Sequence, residues 1–187
     1  MLFNSVKDVV KDWVSELDGR LSEAEKECLR DTSDHINKVR TNIGYFIGNL
    51  STRADVHDRS KLMEPEFPIF VEYGPKLKGS TYGSEEYKKN LSEMQVALKN
   101  HYENNSHHPE HYPNGIQGMS LMDILEMLAD WKAACERHAD GNFVESMYTN
   151  RERFKISDSL FEIMKNTIIE MGWVTQADWD KKFQGDK

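Results

Sequence analysis

Four histidines lie within eleven residues of this chain, in the run His101-Tyr-Glu-Asn-Asn-Ser-His107-His108-Pro-Glu-His111. His35 and the doublet His57-Asp58 stand upstream of them, and Asp130 follows in Glu126-Met-Leu-Ala-Asp130-Trp131-Lys132. Imidazole and carboxylate form the ligand pair that suits zinc, manganese, iron and cobalt, and histidine is the commonest metal ligand. A series running His, His-Asp, His cluster, Asp therefore predicts a metal site. It weighs against a His-rich surface loop with scattered core histidines, because clusters of this kind are rarely structural.

The elements that must position these groups read as helices. A stripe of Phe3, Val6, Val10, Trp13, Val14 and Leu17 ends near Gly19. Ser22-Glu-Ala-Glu25 is a capping box opening a long second helix, with Ile36, Val39, Ile43, Phe46/Ile47 and Leu50 on its apolar face and His35 near its middle. Residues 51–83 carry Pro65, Pro68, Pro75, Gly74, Gly79 and Gly83 and are expected to be irregular, bordering the site, with Gly74 to Gly83 as a flap. From Ser84, Tyr87, Leu91, Met94, Leu98 and His101 follow at helical spacing, which points His101 inward with the core. The run from His107 to Gly115 reads as a loop, broken by Pro109, Pro113 and Asn114-Gly115. Ser120-Leu-Met-Asp123 caps the next helix, expected to end near Gly141; on it Asp123 reads as solvated surface and Asp130 as a partly buried carboxylate in need of a partner. Helices over 156–183 close the chain, one stopped at Gly172 and one capped by Thr175-Gln-Ala-Asp178. No strand is evident. The expected class is all-α.

At 187 residues the length favours one domain, spanning 1–187, with a real core. Twenty-four basic against 32 acidic residues, a net charge of −8, disfavour general nucleic-acid binding. A small anionic substrate is still compatible, because a divalent cation and local Lys or Arg override the global field. Cys28 and Cys135 lack CxxC spacing and read as reduced thiols. No apolar run approaches transmembrane length, and the amino terminus alternates apolar with charged residues, unlike a signal or transit peptide. The expectation is a cytoplasmic protein without membrane association, with self-association allowed.

A helix bearing a histidine, then His-Asp, then an aspartate late in a following helix resembles the HD-domain superfamily of metal-dependent phosphohydrolases, over about residues 30–140. The resemblance implies an all-helical fold of that type and a divalent metal held by His35, His57, Asp58 and Asp130. The stretch from His107 through Gly115 to Asp130 also resembles the dinuclear cyclic-dinucleotide phosphodiesterase branch, although Asn114-Gly115-Ile116 stands where that branch has Gly-Tyr-Pro. More narrowly, His57-Asp-Arg-Ser-Lys61, His107-His-Pro-Glu-His111 and Glu126-Met-Leu-Ala-Asp-Trp-Lys-Ala133 are similar to an uncharacterised family of phages and bacteria. Where many nucleotidase members carry a water-orienting acid three residues after the His-Asp aspartate, this chain has Lys61, which leaves that role vacant or moves it to Glu64, Glu66 or Glu126.

The leading expectation is phosphoester hydrolysis, with a nucleotide as the substrate the resemblance implies. One or two ions of manganese, iron, cobalt, nickel or zinc are expected, with His101, His107 or His108 completing the first site or building a second. Asp58, Lys61 and Glu126 are the candidate catalytic residues. Arg53, Lys61, His111, Lys132 and Arg137 are candidates to meet the substrate, Lys61 foremost because it lies three residues from a ligand. Two alternatives stand beside it: a di-iron oxygenase of HD type, and a non-catalytic, metal-stabilised phage protein that binds a partner.

Overall fold

The computed structural model describes residues 21–80, 84–137 and 141–184, and among these every regular element is helical. The all-α class is observed. The stripe from Phe3 to Leu17 lies outside the described residues, as do positions 81–83 of the expected flap. No helix among the described residues is long and apolar enough to cross a membrane. The chain divides into two compact units between Thr52 and Arg53.

In the first unit the described element is α1 (Glu23–Val56), whose last turn belongs to the second. It opens on the expected capping box: Ser22 Oγ accepts the Glu25 N–H at 3.3 Å, and Glu25 Oε2 accepts the Ser22 N–H at 2.7 Å. None of its 34 residues is buried. Ile36, Val39, Ile43, Phe46 and Ile47 are all exposed, and so is His35.

The second unit begins where the chain leaves α1. A 3-10 turn over Arg59–Leu62 leads into α2 (Glu66–Gly79). The irregular segment expected over 51–83 is thus largely helical. Pro68 falls in the first turn of α2, where a backbone N–H has no intrahelical acceptor to lose. Pro75 forfeits one hydrogen bond inside the helix, and packing of α2 against the 3-10 turn and the two following helices holds it.

Those helices are α3 (Glu85–Glu93), capped by Ser84 Oγ on the Tyr87 N–H at 3.1 Å, and α4 (Gln95–Asn104). The continuous stripe from Tyr87 to His101 predicts one helix, but the chain breaks at Met94 (φ −87°, ψ 3°). The stripe keeps its inward face across the break: Met94 and His101 are buried, and Tyr87, Leu91 and Leu98 are half-buried.

Downstream come α5 (Leu121–Glu136), α6 (Phe143–Phe154), α7 (Asp158–Glu170) and α8 (Gln176–Gln184). α6 lies where no helix was expected; Asn142 Oδ1 caps it on the Glu145 N–H at 3.1 Å, and Phe143, Val144 and Met147 bury its inner face. The main core gathers Ile124, Met127, Leu128 and Trp131 of α5 with Met147, Phe161, Met164, Ile168 and Trp179. On a neighbouring stripe of α5, Asp123, Glu126 and Asp130 recur at steps of three and four residues. That stripe faces the histidines.

Candidate metal centre

The end of α1 brings two adjacent side chains to one point. Asp58 adopts the left-handed conformation (φ 55°, ψ 16°), which aspartate tolerates better than most residues but still at some cost. The turn lets His57 and Asp58, which successive helical positions would aim about 100° apart, face the same cluster.

Three imidazoles meet Asp58 there. His101 Nε2 lies 3.3 Å and His107 Nε2 3.6 Å from Asp58 Oδ1, and His101 Nε2 is 2.8 Å from His108 Nε2. These four ligand atoms all lie within 4.8 Å of one another. Two ligands at tetrahedral angles, each about 2.1 Å from one ion, are separated by about 3.4 Å, so the set has the right dimensions. Two of its atoms, Asp58 Oδ1 and His107 Nε2, are buried with no hydrogen-bond partner. Unpaired buried polar atoms are costly, and a cation would satisfy both. The residues fit a metal ion.

The far nitrogens of His101 and His107 are held by carboxylates. Glu66, fully buried, places Oε2 3.0 Å from His101 Nδ1. Glu126 Oε1 lies 3.1 Å from His107 Nδ1 and 2.9 Å from His57 Nδ1. A carboxylate on Nδ1 holds the proton there and leaves the Nε2 lone pair free for a ligand bond. Burial, reinforced by His107 and His101, pushes His108 down to about 3, and burial lowers His107 as well, so both rings are neutral near pH 7. Burial alone would raise Asp58, but contacts with His101 and Lys61 outweigh it and hold the carboxyl well below the usual range.

Beside this set lies a second, more accessible one of His57, Asp58 and Asp130. His57 Nε2 stands 3.5 Å from Asp58 Oδ2 and 3.7 Å from Asp130 Oδ1. Its pKa is raised to about 9, chiefly by Asp130, with Glu126 adding to this against burial. Lys61 Nζ reaches Asp58 Oδ2 at 2.5 Å. The side chains of His57, Asp130 and Lys61 keep 29%, 22% and 34% exposure, so this edge meets solvent.

Of the expected ligands, His57, Asp58, His101, His107, His108 and Asp130 come together. His35 does not belong to the potential ligand groups among the described residues; it stands exposed on a helix with no buried position. Glu126, expected as a catalytic acid or base, has both oxygens engaged, by the imidazoles and by Arg53. Arg53, expected on substrate, instead donates to Glu126 Oε2 at 2.8 Å and reaches Asp123 Oδ1 at 2.9 Å. Lys132 pairs with Glu136, Arg137 is exposed, and His111 bonds the Tyr102 carbonyl through Nδ1 at 2.7 Å.

Sequence reasoning named Glu66 only as a candidate water-orienting acid and missed its place behind His101, and it misread Asp123. Far from being solvated, Asp123 is buried and accepts from Ser106 Oγ at 2.6 Å, Tyr112 Oη at 2.9 Å and Ser120 N at 2.8 Å. It ties the His-bearing loop to the start of α5. The signal for it was its place in the capping box, three residues after Ser120.

Residues 24–170 match the model of a family of unknown function, DUF5662. No curated protein and no solved structure matches the chain.

Proposed function

The chain belongs to the DUF5662 family, whose function is unknown, and for it we propose a metal-dependent phosphohydrolase in which Asp58, His101, His107 and His108 hold the ion. The observation that carries the reading is the convergence of four ligand atoms, two of them buried and unpaired, beneath an accessible edge of His57, Asp130 and Lys61. Four protein ligands close a tetrahedral centre, so catalysis here requires an ion of higher coordination number that takes a further position toward that accessible edge. When bound, a divalent ion lowers the pKa of a water molecule and polarises a phosphoryl oxygen. His57, gripped at Nδ1 by Glu126, turns Nε2 toward Asp58 and Asp130 and is placed to hold or pass a proton at that atom. Lys61 supplies positive charge at the same edge, where an anionic substrate would approach. Likeness to the HD-domain enzymes supports the reading through His57, Asp58 and Asp130, with the clustered histidines taking the part that likeness gives to His35.

One observation favours a second reading. Asp58 turns Oδ1 toward His101 and His107 and Oδ2 toward His57, so two ions could share it. A di-iron oxygenase would use such a pair. The test is loading with manganese, iron, cobalt, nickel or zinc, followed by elemental analysis and hydrolysis of p-nitrophenyl phosphate and nucleoside phosphates, with Asp58→Asn alongside. We expect retained metal, metal-dependent hydrolysis, and loss of both in the variant. Wild-type protein that retains no metal, or a variant that keeps both properties, refutes the proposal. Turnover confined to iron and oxygen would transfer the site to the second reading.

A further inference from the structure

A cleft that the metal chemistry leaves unused lies next to the centre. Residues of α3, α4, the Pro109–His111 turn and α6 line about 770 Å³, within the roughly 300–1,000 Å³ typical of small-molecule sites. Successive residues of α4 serve the two places: His101 joins the metal set, and Tyr102 lines the cleft while its ring packs 5.2 Å from that of His108. The chemistry of the lining is mixed in a specific way. Leu91 and Leu98, with the rings of Tyr87 and Tyr102, provide apolar and aromatic wall. The charged groups come as two opposed pairs, Arg153 with Glu110 at 2.7 Å and Lys99 with Glu103 at 3.8 Å.

This combination selects among ligands. A simple anion would displace an acid from its cation and leave that acid facing it; a simple cation would do the reverse. A ligand carrying both charges can meet a cation and an acid at once. A guanidinium has five N–H donors, so Arg153 can accept a carboxylate while retaining contact with Glu110. The pair is accessible, with 56% and 29% side-chain exposure, and an exposed pair is readily shared. His111 Nδ1 on the Tyr102 carbonyl at 2.7 Å fixes the turn to α4, so the wall is formed before any ligand arrives.

We propose that this cleft binds a small ring-bearing zwitterion of the aromatic amino-acid type. Its ring lies against the tyrosines and leucines, its carboxylate on Arg153, and its ammonium on Glu103. The site is separate from the metal-binding set and needs no ion.

Isothermal titration of the full chain with L-tryptophan, indole-3-propionate (no ammonium) and tryptamine (no carboxylate) tests it. Tryptophan should bind, and each single-charge analogue should bind at least roughly ten-fold more weakly, the loss of one charge-assisted contact. Arg153→Met should weaken tryptophan by a similar factor and leave tryptamine unchanged, whereas Glu103→Gln should weaken tryptophan and spare indole-3-propionate. Circular dichroism checks that both exposed-site variants fold. Metal-stripped protein should bind tryptophan as well as the loaded form. Absence of tryptophan binding, an analogue that binds equally well, indifference to Arg153→Met, or loss of binding with the metal would each overturn the assignment.

Discussion

Glu126 links two imidazoles of the centre to Arg53, which makes Glu126→Gln an informative perturbation. Its Oε1 stands 2.9 Å from His57 Nδ1 and 3.1 Å from His107 Nδ1, and its Oε2 accepts from Arg53 at 2.8 Å. All three neighbours are donors: Arg53 always, His57 because its raised pKa keeps both nitrogens protonated, and His107 once it turns Nε2 to a metal. A carboxylate accepts from all of them, but an amide has only one oxygen. In the variant the amide nitrogen must face either Arg53 or the two rings, donor against donor, and rotation only exchanges one clash for the other. Facing Arg53, it forfeits a charge-assisted bond of about 1.5–3 kcal/mol, while Arg53 keeps Asp123 at 2.9 Å. Facing the rings, it frees the buried His107 proton to move to Nε2, the atom that must ligate.

Removing an outer carboxylate from a metal-bound histidine weakens affinity by about 10–100-fold, or roughly 1.4–2.7 kcal/mol. Of the proposed ligands His107 is the one that rests on Glu126, so the expected loss lies within that range. Chelator competition for cobalt or zinc measures it, with urea unfolding of the metal-free protein run in parallel. Both affinity and stability should fall. Unchanged affinity alongside reduced stability would refute the tautomer argument and leave Glu126 as no more than the anchor of Arg53.

Two further outcomes follow from the edge of the cluster. Lys61 Nζ lies 2.5 Å from Asp58 Oδ2 and 5.6 Å over the Phe70 ring, and Lys61→Met should lower kcat/KM on a phosphoester roughly ten-fold, the lower end for a charge-assisted bond at a partly exposed site, while metal content holds; unchanged kinetics would remove Lys61 from the reaction. The metal-free protein should be most stable near pH 6.5. The His57 pKa is raised to about 9, so its contribution is full below the unfolded value of about 6.5 and is lost as pH rises through 9. That of His108 is lowered to about 3, so between about 6.5 and 3 the unfolded chain takes up a proton that the folded one refuses, and stability falls with pH. Unfolding midpoints at pH 5, 6.5 and 9 check the curve, and an alkaline limb that is the same in His57→Asn as in wild type would contradict the assignment.

What the sequence made legible was whatever depends on local periodicity. His101 could be placed inward because it ends a stripe that keeps its inward face even where the helix breaks at Met94. The doublet His57-Asp58 and the later Asp130 carried their own signal by residue type. The groups that orient the ligands did not, because their partners are remote: Glu66 meets His101 across 35 residues and Arg53 meets Glu126 across 73. Residue type misled where charge alone was considered. Arg53 reads as a phosphate ligand until the buried Asp123 and the half-buried Glu126 claim it, and Asp123 reads as helix surface until Ser106 and Tyr112 fold back onto it. His35, the remaining expected ligand, stands exposed on a helix that buries none of its positions.

Charge balance ties these parts together. Asp58, Glu66, Asp123, Glu126 and Asp130 bring five carboxylates to one region, and Glu66 and Asp123 are buried outright. Against them stand Arg53, Lys61 and the imidazolium of His57, leaving two negative charges uncompensated when the ligand imidazoles are neutral. Burying unpaired charge is expensive, and a protein relieves it by pairing, by protonation or by coordinating a metal. The lowered pKa values of Asp58, Asp123 and Asp130 disfavour protonation for those three. A divalent ion among Asp58, His101, His107 and His108 would supply the missing charge at the place where Asp58 Oδ1 and His107 Nε2 lack partners. On the proposed reading its charge would then contribute to the stability of the fold as well as to chemistry, with the carboxylates on the outer nitrogens part of the same balance.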